Sequence, residues 1–182
     1  MAEPRVKKIE EYYKNKLKDV EILVDNVWDP HNVAAVSRTA DGLGIAKINL
    51  YYTYNKFPDL EHVGKKSSSS ANKWIRYERI DNLNAFVSAK KKEGFVFVGA
   101  DLNADAVRLD DFSFPSKCIL VLGAESEGIS KEVRKICDKF VFIPMVGMVE
   151  SYNISVAAGM ILYELFRQHG GSLKLRGEYK DG

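Results

Sequence analysis

The sequence predicts an α/β fold, a mainly parallel sheet flanked by helices. Two observations lead there. Short, continuous apolar runs such as Glu21-Ile22-Leu23-Val24 and Ile119-Leu120-Val121-Leu122 alternate with segments of helical spacing. Gly, Pro, Asn and Ser residues interrupt the chain between them, as expected where strand and helix alternate.

The elements follow in order. Residues 4–18 read as a charged helix and Glu21 to Val24 as the first core strand, which Asp29-Pro30-His31-Asn32 breaks. Val33 to Leu43 has helical spacing with Gly44 as its stop, and Lys47 to Tyr52 is the second strand. Residues 53–73 are polar and turn-rich, with Ser67 to Ser70 in succession, and form a surface excursion. A second round comprises a strand from Trp74 to Tyr77, a helix from Leu83 to Lys92 and a strand from Phe95 to Gly99. The strand Ile119 to Leu122, a helix from Lys131 to Cys137 capped by Ser130, the strand Phe140 to Ile143 and a long helix from Ile154 to Gln168 complete the pattern. No internal repeat or second domain is visible in the 182 residues, so 1–182 reads as one domain with short basic arms over about 1–18 and 168–182.

Composition narrows the function classes. No apolar run approaches the roughly 20 residues of a membrane span, and Met1-Ala2-Glu3-Pro4-Arg5 does not open a signal peptide, so a cytoplasmic protein with no membrane partner is expected. Cys118 in an apolar run and Cys137 in a helical pattern lack metal or disulfide spacing and read as packed, reduced thiols; no metal is expected. The net charge is only +2, but basic residues cluster at Arg5 to Lys18, at Lys65, Lys66, Lys73, Arg76 and Arg79, and at Arg167, Lys174, Arg176 and Lys180. Such clusters suit a polyanion, although solvated faces with acidic neighbours would look the same.

In parallel sheets ligands bind beyond the carboxyl ends of strands, which directs attention to three segments. In the first, Asp29 to Arg38, Asn32 stands where it could cap the helix, and Arg38 is a lone cation on an apolar helix. Arg38 could pair with Asp41 or Asp29, or grip a phosphate in bidentate fashion. The second, Gly123 to Ser130, is neither a dinucleotide fingerprint nor a phosphate loop, and Glu125 and Glu127 favour hydroxyl or cationic ligands. The third, Pro144 to Asn153, joins a strand to the small-residue helix start Ala157-Ala158-Gly159; no hydrolase or metal signature competes with it.

Taken together, Asn32 through Arg38-Thr39-Ala40, Leu122-Gly123-Ala124-Glu125, and Ile143-Pro144-Met145 through Ser151-Tyr152-Asn153-Ile154 resemble the three signature motifs of the SpoU/TrmH class of RNA ribose methyltransferases. Asp25-Asn26-Val27 and Asn72-Lys73-Trp74 resemble the subgroup acting on guanosine 18 of transfer RNA. The resemblance implies a C-terminal deep trefoil knot, a homodimer with Ile154 to Phe166 in its contact, tRNA as substrate and S-adenosylmethionine as cofactor. It places the cofactor at Ala100, Leu122, Gly123, Ile143, Met145 and Tyr152, the last where the motif normally has leucine. It makes Arg38 the catalytic arginine, assisted by Asn32, Glu125, Ser151 and Asn153. Another tRNA or rRNA ribose as target is the neighbouring alternative; an RNA-binding module without catalysis is the alternative of a different class.

Overall fold

The computed structural model describes residues 16–59 and 74–169. The expected helix over most of 4–18, the serine run and most residues of the three basic clusters lie outside the described residues. Seven strands form one sheet: β1 (Val20–Asp25), β2 (Lys47–Tyr51), β3 (Arg76–Arg79), β4 (Val96–Ala100), β5 (Val107–Arg108), β6 (Cys118–Leu122) and β7 (Lys139–Phe142). Their order is β3-β2-β1-β6-β4-β7-β5, and every neighbouring pair is parallel. Among the described residues, four α-helices accompany them: α1 (Pro30–Gly42), α2 (Leu83–Lys92), α3 (Lys131–Arg134) and α4 (Ile154–His169).

The apolar runs are continuous because the sheet is covered on both faces. Side chains alternate across a strand, so Ile22, Val24, Leu120 and Leu122 meet α1 and α4 through Val33, Val36, Ala158, Ile161 and Leu165. Leu23, Phe97, Ile119 and Val121 point the other way, toward Leu83 of α2 and Val133 of α3. Two buried charges sit on that second face: the Lys90 ammonium donates to Glu21 Oε1 at 2.7 Å, and Asn49 Nδ2 donates to Glu21 Oε2 at 2.8 Å. Pairing gives the buried carboxylate its partners.

Several boundaries differ from the sequence expectation. The cap of α1 is Asp29, whose Oδ1 accepts from His31 N at 2.8 Å with Pro30 opening the helix, so Asn32 is released from capping. Gly44, at φ 81°, ends that helix as expected. Strand β3 is displaced toward the C-terminus relative to Trp74–Tyr77 because Arg76, not Trp74, pairs with Lys47. Helix α3 stops before Cys137: Ile136 N and Cys137 N bond back to Val133 O and Arg134 O, a tightened turn that sends Asp138 N to Phe97 O and starts β7. The two-residue strand β5 carries too short a pattern to be read from sequence.

Burial pushes both thiols up, Cys118 and Cys137 each to about 12. Neither should react with a thiol reagent at pH 8 in the native protein, whereas both should react once it is unfolded; fast labelling of Cys137 in the native state would contradict the packing described.

Candidate active site

Because all strands run the same way, their carboxyl ends share one edge, and the loops after β1, β4, β6 and β7 converge there. The ladders stop at Val24↔Leu122, Gly99↔Val121 and Ala100↔Val141. Ala100, Leu122, Gly123 and Ile143 are thereby set at or just past the ends of the three adjacent strands β4, β6 and β7. Met145 follows as a half-buried residue, while Tyr152 is exposed at the entry to α4.

Gly123 is fixed by the return of its own loop. Ala124 and Gly128 exchange backbone hydrogen bonds of 2.9 Å each, folding the backbone of Gly128 and Ile129 against Gly123 with no room for a Cβ. This tight return presents Glu125 at the loop tip.

Three of the sequence-predicted polar residues meet there. Asn32 Nδ2 donates to Glu125 Oε1 at 2.7 Å, Trp28 N donates to Glu125 Oε2 at 3.2 Å, and Asn153 Nδ2 donates to Asn32 Oδ1 at 3.1 Å. Asn153 Oδ1 in turn accepts from Ser155 N at 2.9 Å, fixing its orientation at the start of α4. All three signature segments are joined in this chain of amides and one carboxylate.

Two expected members stand apart. Six positions along α1 rotate Arg38 by about 120° from Asn32, so the guanidinium leaves on another side of the helix. It is exposed and has no hydrogen bond or ion pair among the described residues; the alternatives of Asp41 and Asp29 are not realised, since Asp41 pairs with Lys16 at 3.0 Å and Asp29 caps the helix. Ser151 is exposed and makes no hydrogen bond among the described residues.

The support beneath the site comes from Asp25 and Asn26, both fully buried. Asn26 has φ 52°, the left-handed region that asparagine tolerates better than most side chains. Its Oδ1 accepts from Thr53 N at 2.8 Å and Tyr54 N at 3.2 Å, while its Nδ2 donates to Asp25 Oδ1 at 2.8 Å. Asp25 Oδ2 accepts from Ser130 N at 2.7 Å, anchoring the far end of the Glu125 loop. Burial pushes the Asp25 carboxyl above its ordinary range, opposed by the Ser130 and Asn26 hydrogen bonds. Beyond β2, burial together with the neighbouring Glu127 carboxylate pushes the Tyr54 phenol up to about 12. The sequence showed Asp25 and Asn26 only as part of a subgroup resemblance; their buried roles depend on partners 27 and 105 positions away.

With this geometry in place, comparison with known proteins is decisive. A profile of the SpoU rRNA Methylase family matches residues 19–163. The chain belongs to the SpoU family. This SpoU chain is 34% identical over 168 residues to the tRNA (guanosine(18)-2′-O)-methyltransferase of Aquifex aeolicus, covering 92% of this chain and 78% of that protein. It superposes on the crystal structure of the A. aeolicus TrmH/SpoU tRNA modifying enzyme with a TM-score of 0.82 at 34% identity, over 91% of this chain and 83% of the other. The SpoU methyltransferase AviRb of Streptomyces viridochromogenes, solved in complex with AdoMet, aligns with a TM-score of 0.72 at 30% identity, over 81% of this chain and 59% of that one.

Asn26→Ala should destabilise the protein by about 3 kcal/mol, since several buried groups lose partners at roughly 1 kcal/mol or more each. Asn26→Gly should lose about 1 kcal/mol less because glycine relieves the left-handed backbone. Urea unfolding of the two variants against the parent measures both; equal losses would mean that the positive φ carries no strain.

Proposed function

We propose that this protein transfers a methyl group from S-adenosylmethionine to the ribose 2′-hydroxyl of guanosine 18 in the D-loop of transfer RNA. The observation that carries the reading is the Asn32–Glu125–Asn153 network, placed beside the ends of β4, β6 and β7 in a SpoU chain. Its similarity to a guanosine-18 enzyme over nearly its whole length supports the choice of substrate.

The strand ends fit the cofactor. Ala100 and Gly123 are small, Ile143 supplies an apolar wall, and the backbone at the edge, Leu122 included, offers donors and acceptors for an adenine and an amino-acid chain. Substitution of leucine by Tyr152 leaves any backbone contact at that position available. When bound, S-adenosylmethionine supplies an electrophilic methyl on a sulfonium.

The residues of the chain do the rest. Asn32 and Asn153 hold Glu125 and offer amide groups that orient the ribose, and Ser151, exposed two positions earlier, adds a hydroxyl at the mouth. Holding the 2′-oxygen in line with the methyl lowers the barrier by several kcal/mol through orientation alone. A guanidinium is protonated at neutral pH, and stripping its proton costs about 8 kcal/mol at 1.36 kcal/mol per pKa unit. Arg38 therefore acts as a phosphate clamp and stabiliser of the developing alkoxide, with the proton leaving late, to water.

Three further features belong to this reading. Strand β7 lies between β4 and β5, so the connection 101–106 has to cross it, and Gln168 near the end of α4 bonds Phe112 O and Phe114 N. We read this as the trefoil knot. On α4, Ile154, Ala158, Ile161, Leu162 and Leu165 are consumed by the protomer's own core, whereas Val156, Met160 and Tyr163 form an exposed apolar stripe at helical spacing. A second copy of the chain covers that stripe in a homodimer, which also offers a place for Arg38 to work. Finally, the basic arms of this single domain hold tRNA phosphates, and the reaction is cytoplasmic, where the substrate resides.

Incubation with S-adenosylmethionine and unmodified total tRNA or rRNA, followed by nucleoside mass spectrometry and site mapping, should yield 2′-O-methylguanosine at position 18. Methyl at another ribose would replace the substrate; cofactor binding with no methyl on any RNA would leave an RNA-binding module. Arg38→Lys should lower kcat at least a hundredfold, and near-normal turnover would contradict the clamp. The pair Val156→Asp and Tyr163→Asp should turn a dimer into a monomer in sedimentation velocity; an unchanged mass would place the contact elsewhere.

A further inference from the structure

The loop between β1 and α1 presents an aromatic side chain to solvent. Trp28 is 75% exposed although its backbone is fixed from every side. Val27 before it is buried and its carbonyl accepts from Tyr52 Oη at 3.0 Å; Trp28 N is tied to Glu125; Asp29 and Pro30 after it are the cap and first residue of α1. The indole is thus presented by a rigid frame and makes no hydrogen bond or ring contact among the described residues. Across the Glu125–Glu127 loop tip stands Tyr54, 51% exposed, its backbone held by Asn26 Oδ1 and its phenol beside the Glu127 carboxylate. Two aromatic rings flank the acidic tip at the place where the target ribose is oriented.

A ribose reaching Asn32 and Glu125 brings its base with it. To expose its 2′-hydroxyl, that nucleotide has to leave its loop stack, and the lost stacking needs replacement. A broad aromatic face serves this purpose without reading sequence, because every base offers a π-face. We propose that Trp28 is the stacking platform for the base of the nucleotide being methylated, with Tyr54 bounding the same subsite; the ligand class is a nucleobase, here a purine. The inference rests on the RNA methyltransferase reading above. It assigns a substrate-affinity role to a residue outside the Asn32–Glu125–Asn153 network.

The chain has two tryptophans, Trp28 and Trp74, so a Trp74→Phe variant leaves Trp28 as its only indole. Unmodified tRNA transcript should quench the fluorescence of that variant. Trp28→Ala should raise KM for the transcript about tenfold, the scale of one base–aromatic stack, with the Kd for S-adenosylmethionine unchanged and Trp28→Phe restoring most of the loss. On a transcript carrying an abasic ribose at the target position, Trp28→Ala should bring no further loss of binding. An unaltered KM, or an equal loss on intact and abasic RNA, would overturn the proposal. So would weakened self-association of Trp28→Ala with RNA affinity intact, since the indole would then belong to the contact between protomers. If the parent protein methylates no RNA, the functional reading fails by itself, while quenching that disappears on abasic RNA would still assign the indole to a base.

Discussion

Uniform strand direction is the constraint on which this molecule depends. With every ladder parallel, all strand exits fall on one edge, and the loops that leave them need hydrogen-bond partners in a crowded space. Asn26 resolves much of that demand. By turning left-handed at the end of β1 it aims one amide at the loop after β2 and at Asp25, and Asp25 reaches the loop after β6. The carboxylate at the loop tip can be held to α1 and α4 because the base of its loop has already been secured.

This hierarchy explains which parts of the molecule were legible in the sequence. The central strands were readable because burial on both faces demands continuous apolar runs, and the end of α1 because Gly44 marks it by local chemistry. The N-terminus of α1 was readable as a boundary, and of the two roles open to Asn32 the cap falls to Asp29 with Pro30 after it, which frees Asn32 for the site. Helix α3 was readable at its start, where Ser130 caps it as expected, but not at its end, and strand β5 is set by tertiary pairing and is too short to display a period.

The three segments of the site were legible from their places after strands, but the partnership of particular residues within them only through family resemblance. Asn32, Glu125 and Asn153 lie about 30 to 120 positions apart in the chain, and nothing local in any of them announces the others. The structure joins these three and separates Arg38, a division that helical geometry enforces once the boundaries of α1 are known. Trp28 escaped notice for a related reason: an aromatic residue beside a strand end reads as core until its exposure is measured.

Strand order also has a temporal side. β1 pairs on one edge with β2, close behind it, but its other edge waits for β6, with Val20 meeting Cys118 across 98 positions of chain. At about 5–20 residues per second of synthesis, roughly 5–20 seconds separate the first strand from its second neighbour, and for the part of that time after β2 is made β1 stands half-paired. Such long-range pairing also slows folding after release. The central, most apolar layer therefore closes only once β6 is made, with β7 still to be inserted between β4 and β5, and the nascent chain passes through a period in which β1 is a ready template for aggregation, a hazard met in the cell by chaperones.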